Sequence, residues 1–132
     1  MSYQVVVLSG TTDGSGDATV DSPGAVTGEV LFVDVEGAAL TDSANLTLKP
    51  ILYEQTGAEE VGESIVNHAD VGNAAQDVLY PRRFATDNAG AALAVATGVN
   101  VAVPYFVPGA RLRAVISAGG ASKTFRVRVF IR

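Results

Sequence analysis

The chain has 132 residues, of which 48% are hydrophobic, so its composition argues against disorder and its length suffices for one domain with its own core. It contains no cysteine, which excludes disulfides and thiolate metal sites. The net charge is −5, and the apolar run near the start is too short for a signal peptide or a membrane span, so we expect a soluble protein.

Turn signals divide the first half of the chain into four predicted strands. Residues 3–9 carry a continuous apolar run, which predicts a strand buried on both faces. An Asp-Gly turn leads into a short strand at residues 17–21, and residues 26–36 predict the clearest long strand. Residues 45–55 predict a further strand, in which Pro50 indicates an edge or a bulge.

The middle of the chain has weaker patterns. Residues 56–78 predict one short strand, at 63–67, inside a long surface excursion. Residues 88–98 are rich in alanine and fit either a helical turn or a strand. Residues 101–107 have a β pattern that contains Pro104.

The last stretch, residues 110–132, consists of two β-patterned runs joined by Gly119 and Gly120, which predicts a β-hairpin. With a two-residue loop, Arg113 faces Arg126 and Arg111 faces Arg128 on one side of that hairpin. The chain therefore contains about eight or nine short strands. We expect an all-β fold: one domain over residues 1–132, an antiparallel β-sandwich of the jelly-roll type.

The few residues that suggest site chemistry do not form a catalytic motif. Residues 13–17 resemble the start of a calcium loop but lack its later glycine and glutamate, so they predict a plain turn. His68 is the single histidine, and neither Ser64 nor Asp70 near it lies in a nucleophile motif. The adjacent carboxylates Glu59 and Glu60 point apart. We predict no enzyme, no metal site and no cofactor.

Charge is distributed unevenly along the chain. Residues 1–80 hold thirteen acids and one base, a net −12, whereas residues 81–132 hold one acid and eight bases, a net +7. Such asymmetry indicates either oppositely charged interaction surfaces or two halves that interleave and neutralise one another across strands.

Arginines account for most of the basic charge, which indicates either an ordinary solvated sheet face or an interface with an acidic partner. That partner is either Asp34 and Glu36 of the same chain or an acidic surface of another subunit; the negative net charge weighs against nucleic acid. The predicted interface residues are Arg82, Arg83, Arg111, Arg113, Arg126 and Arg128.

Five segments resemble parts of the small virion structural proteins of tailed bacteriophages. They are TTDGSGDAT at residues 11–19, VTGEVLFVDVE at 26–36, TDSANLTL at 41–48, YPRRFATDNAGAAL at 80–93 and the closing residues 110–132. The resemblance runs over most of the chain in order, leaving residues 56–78 uncovered. It implies a non-enzymatic, multi-copy role and offers no catalytic residue.

Such proteins include jelly-roll decoration, or cement, proteins on the capsid lattice. The resemblance implies a chain made in the bacterial cytoplasm and assembled on the virion, where it bridges capsomers. Its partners would be the major capsid protein or other virion proteins and further copies of itself, with no nucleic acid and no membrane. Two alternatives remain: a structural component of the neck or tail, and a carbohydrate- or receptor-binding domain using Tyr53, Tyr80, Tyr105 and Phe106.

Overall fold

The computed structural model describes residues 3–55, 58–61, 64–73, 76–84, 89, 94–96, 99–100 and 102–132. Strands dominate these residues, and a 3₁₀ turn at Val71–Asn73 is the one helical element among them. The strands are β1 (Gln4–Thr11), β2 (Ala18–Asp21), β3 (Val26–Glu36), β4 (Asn45–Gln55), β5 (Ala58–Val61), β6 (Val66–His68), β7 (Asp77–Leu79), β8 (Arg82–Phe84), β9 (Ala94–Ala96), β10 (Val99–Asn100), β11 (Ala102–Pro104), β12 (Phe106–Ser117) and β13 (Thr124–Ile131).

Eight of these strands form two four-stranded antiparallel layers. The first layer has the order β1-β13-β3-β7 and the second has the order β2-β12-β4-β6. Most successive strands alternate between the layers, which is the strand order of a jelly roll. The predicted all-β sandwich is therefore confirmed. The additional strands extend β4 with β5 and form two small ladders, β8–β11 and β9–β10.

Two long strands join the layers at one corner. The start of β12 pairs with the start of β3 over residues 106–110, with a register shift at that corner. From there β12 continues into the second layer, between β2 and β4, while β3 continues into the first layer beside β13. The corner therefore fixes the two layers relative to each other.

The core lies between the two layers and consists of the inward residues of each strand. Because side chains alternate along a strand, one face of each sheet is apolar and the other is free for other uses. Leu8 and Val127 from the first layer and Leu46, Leu112 and Ile116 from the second are fully buried. Burial of each such side chain contributes about 2 kcal/mol before the entropic cost of folding.

The first-half predictions agree with the structure except for burial of the first strand. The predicted bounds of β3 and β4 are confirmed. At Pro50, β4 faces Leu112 of β12, while on its other side the β6 ladder ends at Leu48 and the β5 ladder begins at Ile51. The prediction that β1 is buried on both faces is wrong, because only one face of its sheet packs against the core.

The predicted closing hairpin is wrong. β12 and β13 do not pair with each other; β12 lies in the second layer and β13 in the first. The loop between them contacts other parts of the chain: Gly119 donates its N–H to the Gly16 carbonyl and accepts from Thr41. The two runs alternate as expected, but each uses its apolar face to line the core from an opposite side.

The predictions for the middle of the chain agree with the structure only in part. The short strand predicted at 63–67 is found as β6, shifted toward its end, and residue 63 lies outside the described residues. In the alanine-rich segment 88–98 the structure describes residue 89 and strand β9; the other positions lie outside the described residues. The β pattern at 101–107 is realised as β11 and the start of β12.

Candidate interaction surface

The outward side of the first layer, called the outer face below, is the clearest candidate surface of the molecule. Strand register aligns its side chains in rows across β1, β13, β3 and β7. One row consists of Val7, Arg128, Asp34 and Val78. Val7 and Val78 are 47% and 46% exposed, so valines flank the charged centre of this row on both edges.

A second row of the outer face is aromatic. Phe130 lies directly opposite Phe32, and their rings stack with centroids 4.2 Å apart. Tyr3 continues the row at 6.4 Å from Phe130, and Tyr80 ends it at 6.1 Å from Phe32. The two tyrosines are 62% and 65% exposed. These four rings, called the aromatic row, form an apolar band across the sheet.

Beside the aromatic row lies a network of charged side chains, called the ionic cluster. Arg128 Nη2 donates to Asp34 Oδ2 and, at 3.1 Å, to Glu36 Oε1. Arg126 Nη2 donates to Glu36 Oε2 at 2.7 Å, and Gln76 Nε2 donates to Asp34 Oδ1 at 2.7 Å. Asp34 is only 4% exposed, so its charge is held inside the network.

One hydrogen-bond donor of the ionic cluster is unsatisfied. The Nε atom of Arg128 is buried and has no hydrogen-bond partner among the described residues. An unsatisfied buried donor carries a desolvation cost, which is larger for a charged group.

The outer face therefore combines exposed apolar area with charges that are neutralised inside the chain. Exposed apolar patches on soluble proteins mark surfaces that bind other molecules. Charges already paired do not have to find partners when the surface is covered, so the desolvation cost of docking is reduced.

The structure distributes the six predicted interface arginines over three places. Arg126 and Arg128 belong to the ionic cluster, whereas Arg111 and Arg113 alternate with buried residues of β12 and point outward from the second layer. Arg82 and Arg83 are exposed on β8, outside both layers. The six do not form one surface, because the predicted hairpin that placed four of them together does not exist.

Arg113 has a carboxylate partner of its own. Its Nε donates to Asp21 Oδ1 at 2.7 Å and its Nη2 donates to Asp21 Oδ2 at 3.0 Å, across the β2–β12 ladder. This bidentate hydrogen bonding lowers the pKa of Asp21 below its usual range, and the charge of Arg111 lowers it further.

The two arginines of β8 contact different parts of the chain. Arg82 donates to the carbonyl of Pro81 at 2.7 Å. The guanidinium of Arg83 lies 5.9 Å from the centre of the Tyr105 ring, within range of a cation–π contact. A role of any of the six arginines at an interface with another subunit stays a prediction.

The acidic first part and the basic last part of the chain neutralise each other across strands. In each of four ion pairs the acid comes from residues 1–80 and the base from residues 81–132. The pairs are Asp21–Arg113, Glu29–Arg132, Asp34–Arg128 and Glu36–Arg126. Interleaving of the two halves in one sandwich thus explains much of the charge asymmetry.

The remaining candidate residues have structural partners. The Asp13 carboxylate accepts the backbone N–H of Asp17 and of Ser15, which lowers its pKa and forms a turn. His68 Nε2 lies 3.0 Å from Asp77 Oδ2 and links β6 to β7. The side chains of Glu59 and Glu60 lie outside those that the structure describes.

No group of three or more potential metal-ligating side chains occurs among the described residues. The same residues include no helix with the length and apolar character needed to cross a membrane.

Sequence reasoning missed the aromatic row. Tyr3, Phe32, Tyr80 and Phe130 lie on or next to four different strands, so no local spacing connects them. Of the four aromatics considered for carbohydrate binding, Tyr80 is in the row. Tyr105 instead donates its hydroxyl to the Ser64 carbonyl at 2.8 Å.

Phe106, the first residue of β12, is 62% exposed and lies opposite Glu29 of β3. The side chain of Tyr53 lies outside the described side chains.

Comparisons with known proteins give no family. No family model and no curated protein matches the chain. Among solved structures, a crystal structure of FLHE is similar at 12% identity over 100% of this chain and 99% of that chain, with a TM-score of 0.40. A structure of the infectious bursal disease virus Gx strain is similar at 12% identity over 99% of this chain and 32% of the viral chain, with a TM-score of 0.35. Similarities at this level assign neither a family nor a function.

Proposed function

We propose that this chain is a structural protein of a tailed-bacteriophage virion, a capsid decoration protein that docks on the assembled shell through its outer face. The observation that carries the proposal is the exposed aromatic row beside an ionic cluster that is neutralised within the chain. The sequence resemblance described above supplies the kind of partner.

The aromatic row and the flanking valines supply the affinity in this proposal. Tyr3 and Tyr80 are more than half exposed, and Val7 and Val78 nearly half. Covering apolar surface contributes about 25 cal/mol per Å², and aromatic side chains are frequent energetic centres of interfaces.

The ionic cluster defines what the partner must offer. Because Arg126 and Arg128 are already paired with Glu36 and Asp34, the partner needs no acidic patch. It needs an apolar surface that covers the aromatic row and the flanking valines.

The mechanism is stabilisation of the shell by mass action. A protein that binds across neighbouring capsomers, and binds separate capsomers less well, shifts the equilibrium toward the assembled shell. Each copy contributes a small free energy, and the contributions add over the symmetric lattice. No reaction is involved, and the rigid sandwich only presents its surface.

Imaging of particles made with and without this chain tests the proposal. We expect extra density over the joints between capsomers of the head, with the first layer facing the shell. Density confined to the head–tail junction would instead support the neck component. Absence of the chain from purified particles would overturn both virion functions.

A carbohydrate-binding domain is the second candidate, because exposed tyrosine rings can stack on sugars. Tyr80 is the ring that tests it, since Tyr105 has a structural hydrogen bond to Ser64. Binding of the isolated protein to a glycan array, lost in Tyr80→Ser, would favour this candidate over decoration of the shell.

A further inference from the structure

We propose that two copies of this chain associate through β1, pairing edge to edge about a two-fold axis to join their first layers into one sheet. The inference does not depend on the proposed function. It rests on the hydrogen-bonding state and composition of this edge strand, which pairs with β13 on one side and with no described strand on the other.

The hydrogen-bonding pattern identifies which backbone groups of β1 face outward at the edge. On the β3 side of β13, Arg132 and Glu29 exchange two backbone hydrogen bonds. On the β1 side, Thr12 donates its backbone N–H to the carbonyl of Lys123, which lies opposite it when the β1–β13 register is continued by one residue. Bonded and non-bonded residues alternate along an antiparallel pair. The even-numbered residues of β1 therefore bond to β13, and Val5, Val7 and Ser9 direct their N–H and C=O groups to the open edge.

β1 lacks the features that protect sheet edges from such pairing. Its eight residues, QVVVLSGT, include no charged residue and no proline. The other edge strands of the two layers are short: β2 has four residues and ends at Asp21, β6 has three residues, and β7 has three residues and begins at Asp77. Short length and charge are common devices against edge-to-edge association, and a long uncharged edge favours it.

A second copy of β1 fits this edge by charge and by symmetry. Molecules with a net charge of −5 repel each other least where both present uncharged surface, as both β1 edges do. An antiparallel pair centred on Val7 places Val5 opposite Ser9 of the second copy and forms about six backbone hydrogen bonds. Residues directly opposite point to the same side, so the two aromatic rows would lie on one continuous face.

A proline substitution can block pairing at this edge without disturbing the fold of the monomer. Val7→Pro removes an N–H that faces the open edge and no bond to β13, so the monomer should fold with a melting temperature near that of the wild type. We expect the wild-type chain to sediment as a dimer and Val7→Pro as a monomer. Val7→Lys, which places like charges opposite each other, should also be monomeric and serves if the proline variant fails to fold.

Val78→Lys is the matched control, since Val78 has the same exposure as Val7 and lies at the opposite end of the same row. It should remain a dimer. The proposal is overturned by a wild-type monomer, by a trimer, by a dimer that Val7→Pro and Val7→Lys leave intact, or by one that Val78→Lys dissociates. Because the chain has no cysteine, Val7→Cys should also form a disulfide-linked dimer under oxidation, whereas Thr19→Cys on β2 should not.

Discussion

Asp34 and Glu36 lie two residues apart on β3, but their carboxylates have different surroundings. Asp34 is buried between Arg128 and Gln76, whereas the side chain of Glu36 is about one-third exposed beside Arg126. Loss of one member of a buried ion pair leaves the other charge uncompensated, whereas exposed pairs contribute little.

Asp34→Ala is therefore expected to lower the free energy of unfolding by about 3 kcal/mol, and Glu36→Ala by less than about 1 kcal/mol. Urea titrations of the two variants and the wild type measure both values. Equal losses at the two positions would contradict the different surroundings of these carboxylates.

The Asp21–Arg113 pair predicts a pH dependence of stability. Because the pKa of Asp21 is lowered in the folded state, the stabilisation is present above the unfolded pKa of about 4 and is lost as the pH falls through the folded value. We expect Asp21→Asn to be about 1 kcal/mol less stable than the wild type near neutral pH, with the difference disappearing in acid. A difference that stays constant with pH would rule out this account of Asp21.

At the scale of elements, alternation predicted strands well but could not predict their partners. The bounds of β3 and β4 follow from runs of β-patterned residues between turn signals. The last two strands alternate in the same way whether they pair with each other or line the core from opposite layers. The glycines between them, Gly119 and Gly120, therefore suggested a tight hairpin where the chain in fact crosses between sheets.

What replaces the hairpin is a contact between two loops. Gly16 has φ +84°, and a Cβ atom there would lie 2.8 Å from the backbone nitrogen of Gly120. Gly16→Ala should therefore destabilise the protein by about 2 kcal/mol, through backbone strain and this clash. Gly14 has open space around its α-carbon, so Gly14→Ala should change stability by less than about 0.5 kcal/mol. Thermal unfolding of both variants checks the contact, and equal melting temperatures would contradict it.

At the scale of the whole molecule, the sequence revealed the charges of the candidate surface but not its apolar part. The pairing of two arginines in the last strand with two acids of β3 could be anticipated, because an excess of bases in the last strands favours acids nearby. These residues are Arg126, Arg128, Asp34 and Glu36. The aromatic row could not be anticipated, since its rings come together only when β1, β13 and β3 adopt their order in the sheet and Tyr80 follows β7.

The inner and outer faces of the jelly-roll layers therefore have different roles. The inner faces hold the layers together, and the outer face of the first layer is left with apolar area that the fold does not need. In the proposed function that area binds the shell, and the ionic cluster keeps the nearby charges neutral when the surface is covered.

Binding of purified protein to phage shells assembled without it tests this claim most directly. We compare the wild type, the double variant Tyr3→Ser/Tyr80→Ser, which changes the two exposed rings of the aromatic row, and Val115→Ser, an outward position of the second layer between Thr19 and Thr47. We predict that the double variant folds normally and binds at least about tenfold more weakly, while Val115→Ser binds as the wild type does. Equal binding of all three proteins would contradict docking through the outer face.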